Sequence, residues 1–360
     1  MHVVFACGGT AGHVYPALAV AEELRRESPG LELQFLGTRH GLECRLVPQH
    51  GHPLTVVPGA PFLGTGPLGK LRALGELLAG FLRARRLFQE SRPDLVLGFG
   101  GYASAGALFA AASLRIPTAI HESNIVPGLA NRLLALLVDR VYLGPRDPRW
   151  RLPAGKGVVT GTPVRQAIRD LAGQPTVPGS PIRVLVTGGS QGSRSVNERV
   201  PELLGALQRS AGLPLEVMHQ TGGPTGPVEA AYRERGIAAR VVAYLDDMAA
   251  AYAAADFVIA PSGAGTLAEL AASGRPCLLL PLAASAHDHQ RVNADAMAAA
   301  GAAWCAPEAA LPEGLAPQIA HVLRDPAAYQ ERCRSLRRFA APDAARTIAR
   351  DVTALVTRTV

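Results

Sequence analysis

A chain of 360 residues, 48% hydrophobic and 18% charged, is globular rather than disordered and long enough for two cores rather than one. Its formal net charge of +7 is almost wholly arginine, Lys70 and Lys156 being the only lysines, which favours anionic partners: nucleic acid, phosphorylated substrates or an acidic membrane surface. The five cysteines (Cys7, Cys44, Cys277, Cys305, Cys333) lie far apart without a C-x-x-C pair, which argues against a disulfide framework or a zinc site and fits a reducing compartment.

The apolar run His2 to Cys7 predicts a strand, Gly8-Gly9-Thr10-Ala11-Gly12-His13 a turn, and Pro16 to Arg26 a helix: a first βα unit with a glycine-rich crossover. Residues 1 to 21 lack a basic n-region, so they read neither as a signal peptide nor as a span. Leu31 to Gly37 is the next strand, and Arg39-His40-Gly41-Leu42-Glu43 opens another helix. Between Val56 and Arg92 the character changes. A loop with Pro58, Pro61, Gly64, Gly66 and Pro67 carries Phe62 and Leu63, and a helix follows with Leu68, Leu71, Leu74, Leu77, Leu78, Phe81 and Leu82 on overlapping faces. Lys70, Arg72, Arg83, Arg85 and Arg86 surround that apolar set. It reads either as an ordinary surface helix packed on a sheet or as an interfacial patch whose arginines meet anionic lipid.

Residues 95 to 114 are long enough to span a bilayer, yet Gly98, Gly100 and Gly101 break them into a strand, a turn and an alanine-rich helix. The chain is expected to be cytosolic and non-spanning. Pro117 to Ile120 is a strand ending in His121-Glu122-Ser123-Asn124, a polar cluster at the strand end where open α/β sheets bind ligands; a helix cap by Ser123 or Asn124 is the alternative.

Gly161 to Pro181 has the composition of an interdomain connection, in which Arg165 is either a surface charge or an arginine reaching a diphosphate. Then the pattern restarts: strand Arg183 to Thr187, turn Gly188-Gly189-Ser190-Gln191-Gly192-Ser193, and a helix with Asn197 and Leu203. The two halves therefore read as two similarly built βα domains. Leu215 to Gln220 and Arg240 to Leu245 are further strands, and Asp246-Asp247-Met248 caps a helix running to Ala255. After the apolar run Phe257 to Ala260 comes Pro261-Ser262-Gly263-Ala264-Gly265, with a helix expected to start near Thr266. Free amides at such a start attract anions, and Glu269 is placed to accept two hydrogen bonds from a ribose diol. The plain alternative is a βα turn with a solvated glutamate. A strand at Cys277 to Leu280 precedes the polar run His287 to Asn293, in which His287 and His289 are expected on a loop, and the tail after Pro342 has a helical pattern through Val356.

Neither glycine-rich turn is a P-loop or a G-x-G-x-x-G, which disfavours an NAD-dependent enzyme. No D-x-D triplet occurs, and His287, Asp288 and His289 read better as polar lining than as metal ligands, so neither a metal nor another cofactor is expected. Charge on a leaving diphosphate is then met by amides, hydroxyls, a helix dipole and arginine. The basic residues show no aromatic interleaving and no nucleic-acid motif, so nucleic acid is not expected as a partner.

Taken in order, Gly8-Gly9-Thr10-Ala11-Gly12-His13, Gly100-Gly101-Tyr102, His121-Glu122-Ser123-Asn124, Gly188-Gly189-Ser190-Gln191-Gly192 and Ser262-Gly263-Ala264-Gly265-Thr266-Leu267-Ala268-Glu269 resemble the MurG family. These are bacterial transferases that move N-acetylglucosamine from UDP-GlcNAc to undecaprenyl-diphospho-muramoylpentapeptide (lipid I), making lipid II for peptidoglycan. The resemblance covers essentially the whole chain. It implies an α/β GT-B fold, two Rossmann-like domains with parallel sheets facing a central cleft. Residues 1–163 would be the acceptor and membrane-associating domain, with helix 343–360 packing back on it, and 164–342 the UDP-GlcNAc-binding domain. The resemblance places Glu269 on the ribose hydroxyls, Leu245 on the uracil through its backbone, and Ser190, Arg165 and Thr266 at the diphosphate. Asn124, Ala264 and Gln290 would contact the sugar. Gly265, Leu267 and Ala268 complete the donor run, and Thr10, Ala11 and Gly12 are carried over as substrate-binding positions. That first loop and Gly100, Gly101 and Tyr102 are expected near the acceptor diphosphate. Two departures stand out: Ala11 where the family often has glycine, and His289-Gln290 where it often has two glutamines.

A hydroxyl of the acceptor sugar must lose its proton as it attacks the anomeric carbon. His13 is the candidate base, since an imidazole titrates near neutrality; binding the diphosphate or orienting the sugar is its alternative role, and Glu122 is the runner-up base. Direct displacement would invert the anomeric centre. The resemblance implies a peripheral protein on the cytoplasmic face of the cell membrane, with UDP-GlcNAc, lipid I, an anionic inner-membrane surface and other cell-wall synthesis enzymes as partners. Rival readings are another GT-B enzyme, such as a UDP-GlcNAc 2-epimerase or a glycolipid synthase, and a non-catalytic nucleotide-sugar-binding membrane subunit.

Overall fold

The structure is a computed structural model that describes residues 1–60, 66–144, 152–174, 177–282, 288–306 and 314–359. The chain forms two compact units, residues 1–165 with 341–360, and residues 166–340. Arg165, placed by sequence just inside the second domain, is the last residue of the first unit before the chain leaves it.

The first unit begins with β1 (His2–Cys7), α1 (Ala11–Glu27), β2 (Glu32–Gly37), α2 (Glu43–Gln49), β3 (Leu54–Val56) and α3 (Pro67–Ser91). It continues through β4 (Leu95–Gly100), α4 (Tyr102–Ser113), β5 (Thr118–Glu122), α5 (Leu129–Leu137), β6 (Arg140–Leu143) and β7 (Gly157–Val159). α1 starts at Ala11, ahead of the expected Pro16, because Thr10 stands extended as its cap residue (φ −119°, ψ 160°), and Pro16 lies inside the helix. The strands pair in parallel in the order β3-β2-β1-β4-β5-β6-β7. A parallel sheet must be covered on both faces, and the side chains alternate accordingly. Val3, Phe5, Leu33, Phe35, Leu95 and Leu97 pack towards α1, while Val4, Ala6, Leu36, Val96 and Ile120 pack under the alanines of α4.

The second unit holds α6 (Gln166–Arg169), β8 (Ile182–Thr187), α7 (Arg194–Ala211), β9 (Leu215–Gln220), α8 (Gly226–Glu234), β10 (Ala238–Val242) and α9 (Met248–Ala254). β11 (Phe257–Ala260), α10 (Ala264–Ser273), β12 (Cys277–Leu279), α11 (His289–Ala299), β13 (Trp304–Cys305), α12 (Leu315–Arg324) and α13 (Pro326–Arg337) follow. Its parallel order is β10-β9-β8-β11-β12-β13. β10 lies earlier than the expected Arg240 to Leu245. Gly236, at φ 65°, ends the α8 turn and frees Ala238 to pair with Glu216, so Leu245 falls in the loop ahead of α9. Each sheet reverses its winding at one place, between β1 and β4 and between β8 and β11, and in such sheets the crevice at the strands' carboxyl ends opens there.

α3 packs on α4 through small residues. A β-carbon on Gly106 would lie 3.2 Å from Phe81 N, and one on Gly80 only 2.4 Å from Pro58 O. With Ala73, Gly80, Ala84 and Phe88 taking the inner face, Leu68, Leu71, Leu74, Leu78 and Leu82 stand in solvent. α5 likewise exposes Leu129, Leu133, Leu136 and Leu137. Exposed arginines Arg72, Arg83 and Arg86 accompany the α3 leucines. The loop bearing Phe62 and Leu63, and the Lys70 side chain, lie outside the described residues. Residues 95 to 114 divide into β4 and α4 at the Gly100-Gly101 turn, and no described helix is long and apolar enough to cross a membrane.

The chain ends in α14 (Ala344–Thr359), which returns to the first unit. Ala345, Ile348, Ala349 and Val352 enter the core beside α1. Ile348, fully buried, is a test of that contact: Ile348→Ala should destabilise by about 2–5 kcal/mol through lost transfer energy and the cavity left behind. Urea unfolding would show it as a lowered midpoint, and a wild-type midpoint would mean that the helix adds nothing to this core.

Candidate active site

The turn after β1 and the turn after β4 meet at the first switch point. A β-carbon on Gly101 (φ 84°) would fall 2.2 Å from Gly8 O, so only glycine allows the two backbones this approach. His13, on the first turn of α1, is seated by the same glycines. Its Nδ1 lies 3.0 Å from Gly8 O, and its ring lies where a Gly100 side chain would stand, Cδ2 being 2.7 Å from that β-carbon position. A carbonyl only accepts, so Nδ1 carries the hydrogen, and in the neutral ring Nε2 holds the lone pair. α1 has no side-chain cap at Thr10, which leaves its first-turn amides, Ala11 and Gly12 among them, as donors for an anion. Tyr102 stands exposed at the start of α4. Thr10 to His13 and Gly100 to Tyr102 thus converge on one place.

Two residues that sequence reasoning passed over hold these turns. Glu43, read as a helix opener, is fully buried. Oε2 accepts from Gly9 N (2.8 Å), and Oε1 accepts from Thr38 N and Thr38 Oγ1 (2.8 Å each). Gly8, Gly37 and Gly41 all press on this side chain: a β-carbon on Gly8 or Gly41 would meet the carboxylate within 2.5 Å, and one on Gly37 would lie 2.5 Å from its Cγ. The Cys7 thiol beneath is pushed up by burial and by the Glu43 charge, which keeps it inert. Ser104 Oγ lies 2.6 Å from Ala6 O, 2.7 Å from Gly100 O and 3.1 Å from Gly100 N, tying the second turn to β1.

At the end of β5, Glu122 is buried and its carboxylate accepts four N–H groups. Oε1 receives Asn124 N (2.9 Å) and Nδ2 (3.0 Å); Oε2 receives Gly128 N (3.1 Å) and Asn131 Nδ2 (2.9 Å). With about four acceptor sites on a carboxylate, this set occupies the group and makes it the organiser of the Asn124 turn. His121 is buried behind it, Nε2 towards Gly161 O (3.3 Å) and Nδ1 towards Ser123 Oγ (3.3 Å). The Arg165 guanidinium stacks 3.8 Å over the Tyr15 ring, two residues beyond His13 on α1.

In the second unit the Ser190 turn follows β8. Gly189 N donates to Thr187 Oγ1 (3.0 Å), Gln220 Nε2 donates to Gly189 O (2.9 Å), and Ser193 caps α7. Gly192 and Gly222 touch backbone to backbone, as Gly8 and Gly101 do. Behind them His219 is buried between Tyr232 Oη (2.9 Å) and Asn197 Oδ1 (3.1 Å), and Asn197 Nδ2 reaches Thr221 O (3.0 Å).

After β11 the helix starts at Ala264, not near Thr266, because Gly263 is extended (φ −61°, ψ 142°) and Leu267 N already pairs with Gly263 O. The amides of Ala264, Gly265 and Thr266 therefore precede the ladder and face the same switch point as Ser190. Glu269, half-buried in the second turn, takes a hydrogen bond from Tyr252 Oη (3.3 Å). Leu267 packs inward and Ala268 beside it is half-buried. Leu245 precedes α9, which Asp247 caps on Ala250 N (2.9 Å).

His289, expected on a loop, opens α11 instead with Gln290 beside it, following Asp288 in the left-handed region (φ 55°). Ser262 Oγ donates to Gln290 O (2.7 Å), and Leu282 N donates to Gln290 Oε1 (3.0 Å), which brings Gln290 to the β11 turn. His287 lies outside the described residues, and among the described residues no cluster of three or more metal-ligating side chains occurs.

Burial pushes His121 and His219 from the ordinary 6.5 down to about 4. The unfolded chain takes up these protons near 6.5, the native state only near 4. Stability is therefore full above the unfolded value and lost as the pH falls between the two, on the order of 3 kcal/mol per histidine. Thermal unfolding at a series of pH values should show Tm dropping through this window, with a shallower drop in His219→Gln. An unchanged slope in that variant would remove His219 as a source.

Residues 3–143 match the glycosyltransferase family 28 N-terminal domain and residues 183–348 its C-terminal domain. The chain is 39% identical to the UDP-N-acetylglucosamine–N-acetylmuramyl-(pentapeptide) pyrophosphoryl-undecaprenol N-acetylglucosamine transferase of Geobacter metallireducens, covering 97% of both chains. It is 38% identical to the protein of that name from Geotalea daltonii, covering 98% of this chain and 97% of the relative. A crystal structure of Acinetobacter baumannii MurG superposes with a TM-score of 0.75 at 31% identity, covering 98% of this chain and 99% of that one. A UDP-GlcNAc 2-epimerase from Neisseria meningitidis, 14% identical with a TM-score of 0.71 over 98% of this chain and 100% of that one, shares the fold alone. Two Rossmann-like parallel sheets with these neighbours make the architecture GT-B. The chain belongs to glycosyltransferase family 28 and, within it, to the MurG family.

Proposed function

We propose that this protein transfers N-acetylglucosamine from UDP-GlcNAc to the muramoyl sugar of lipid I, with inversion at the anomeric carbon. The observation that carries the reading is the seat of His13, with Nδ1 fixed on Gly8 O and Nε2 against the Gly100 turn, 2.9 Å from where a Gly100 β-carbon would stand. Nε2 takes the proton of the acceptor hydroxyl as its oxygen attacks the anomeric carbon, and the bond from that carbon to the UDP oxygen breaks. An α-linked donor then yields a β-linked product.

The second unit is the donor side of this proposal. The Ala264, Gly265 and Thr266 amides with Ser190 take the diphosphate, Glu269 takes the ribose diol, and Leu245 faces the base. Arg165 adds positive charge for the leaving UDP. Gln290 and Asn124 serve the sugar, each held by its own hydrogen bonds. Glu122 acts through Asn124, because its four donors commit the carboxylate to that turn. Gly100, Gly101 and Tyr102, with Thr10 to Gly12, serve the acceptor diphosphate.

The exposed leucines of α3 and α5, with Arg72, Arg83 and Arg86, are proposed to rest on an anionic membrane from its cytoplasmic face, where a lipid-linked acceptor is found. Other cell-wall enzymes remain proposed partners on the same ground of substrate supply.

Transfer of labelled GlcNAc to a soluble-tailed lipid I analogue tests the reaction. His13→Ala should lower kcat by about 10²–10⁴-fold, the usual worth of a general base, while UDP-GlcNAc affinity holds. Wild-type turnover in that variant removes His13 as base, and conversion of UDP-GlcNAc with no acceptor present favours an epimerase. A second measurement addresses the membrane: the combined Leu71→Glu and Leu78→Glu protein should lose sedimentation with phosphatidylglycerol vesicles and keep transfer to the soluble acceptor. Undiminished vesicle binding would sink the patch assignment.

A further inference from the structure

We propose that Tyr252 is a positioning residue for the nucleotide, its hydroxyl orienting the Glu269 carboxylate towards the ribose diol. The proposal rests on the reading of Glu269 as the ribose grip.

Tyr252 lies on α9 and Glu269 on α10, and a hydrogen bond joins them, Oη donating to Oε2 at 3.3 Å. The Tyr252 ring is buried, 1% exposed, so its hydroxyl cannot wander, whereas Glu269 is half-buried with its carboxylate at the edge of the core. α9 itself is pinned at both ends. Asp247 Oδ1 accepts Ala250 N at its start (2.9 Å), and Arg275 Nη2 donates to Ala253 O at its finish (3.2 Å). Arg275 directly follows Gly274, the left-handed residue that ends α10. The two helices are thereby tied twice, once at Glu269 and once beyond the end of α10. Leu245, the proposed neighbour of the base, stands two residues before the Asp247 cap, so one short helix serves both the base side and the ribose side.

The physical value of the contact is preorganisation. A glutamate has three rotatable bonds, and gripping two vicinal hydroxyls requires its carboxylate edge to face them. A rigid donor on Oε2 restricts that side chain before the nucleotide arrives and leaves less ordering to be done on binding.

The experiment is calorimetry of Tyr252→Phe, Glu269→Ala and wild type with UDP-GlcNAc and with its 2′-deoxyribose analogue. Wild type should prefer the ribose form. Glu269→Ala should abolish the preference, and Tyr252→Phe should cut affinity for UDP-GlcNAc about three- to tenfold, as expected for one hydrogen bond, with affinity for the deoxy analogue changing far less. In turnover the loss should fall on KM for the donor rather than on kcat. If Tyr252→Phe weakens both ligands equally, or neither, the positioning role is overturned while the Glu269 reading stands. If Glu269→Ala keeps the preference, the ribose grip itself fails, and the inference with it.

Discussion

In each unit two turns come together with nothing but backbone between them. Gly101 lies on Gly8, Gly222 lies on Gly192, and a single methyl at these places would stand about 2 Å from the opposite main chain. The closeness follows from the parallel sheet, since strands β1 and β4, or β8 and β9, are neighbours and their following turns leave from adjacent strand ends. In the first unit one consequence is chemical. Because Gly100 has no side chain, the His13 ring occupies that space and its Nδ1 is aimed at Gly8 O, so the contact that closes the turns also sets the tautomer.

Buried polar side chains do the holding in both units, and each is fully engaged where it sits. Glu43 grips the first turn through Gly9 N, Glu122 grips the Asn124 turn with four N–H groups, and His219 with Asn197 grips the Thr221 main chain behind the Ser190 turn. In the proposed reaction an anionic ligand is met by amides at helix starts, while the Glu43 and Glu122 carboxylates stay behind the loops and shape them. The division has a reason: a buried carboxylate is stabilised by several N–H donors, and an amide already used on it cannot also serve a phosphate. Gly9 N is spent on Glu43, so the donors left to a ligand at this turn are those of α1 itself.

The parts of this arrangement legible in the sequence are those specified locally. Apolar runs ending in glycine turns marked β1, β8 and β11, and the repeated G-G-[ST]-x-G pattern revealed the twofold construction. Glu43 gives no such signal, because its partner Gly9 lies 34 residues away in sequence and only the folded β2–α2 turn brings the two within reach. Tyr252 reads as an ordinary helix residue until α10 is packed beside it. α10 begins at Ala264, two residues before the expected Thr266, because the extended backbone of Gly263 already sets the helix start. His289 reads as a loop residue because polar composition hides a helix that buries only Asn293, Ala294 and Met297.

The α3 leucines present the opposite case, a face visible in the sequence whose direction was not. Helical spacing shows that Leu71, Leu74 and Leu78 share a surface, but whether they point in or out depends on how closely α3 approaches α4. Gly106 lets α4 approach the α3 backbone at Phe81 and Gly80 too closely for leucine, so Ala73, Gly80, Ala84 and Phe88 take the inner face and five leucines are left outside. Full burial of a leucine is worth about 1.5–3 kcal/mol, and even partial immersion of the five exposed on α3 sums to several kcal/mol before the arginines add their attraction for anionic headgroups. That is the scale of reversible docking rather than of a spanning segment. In the proposed reaction this is the useful scale, because the enzyme must meet an acceptor fixed in lipid and a donor dissolved in water.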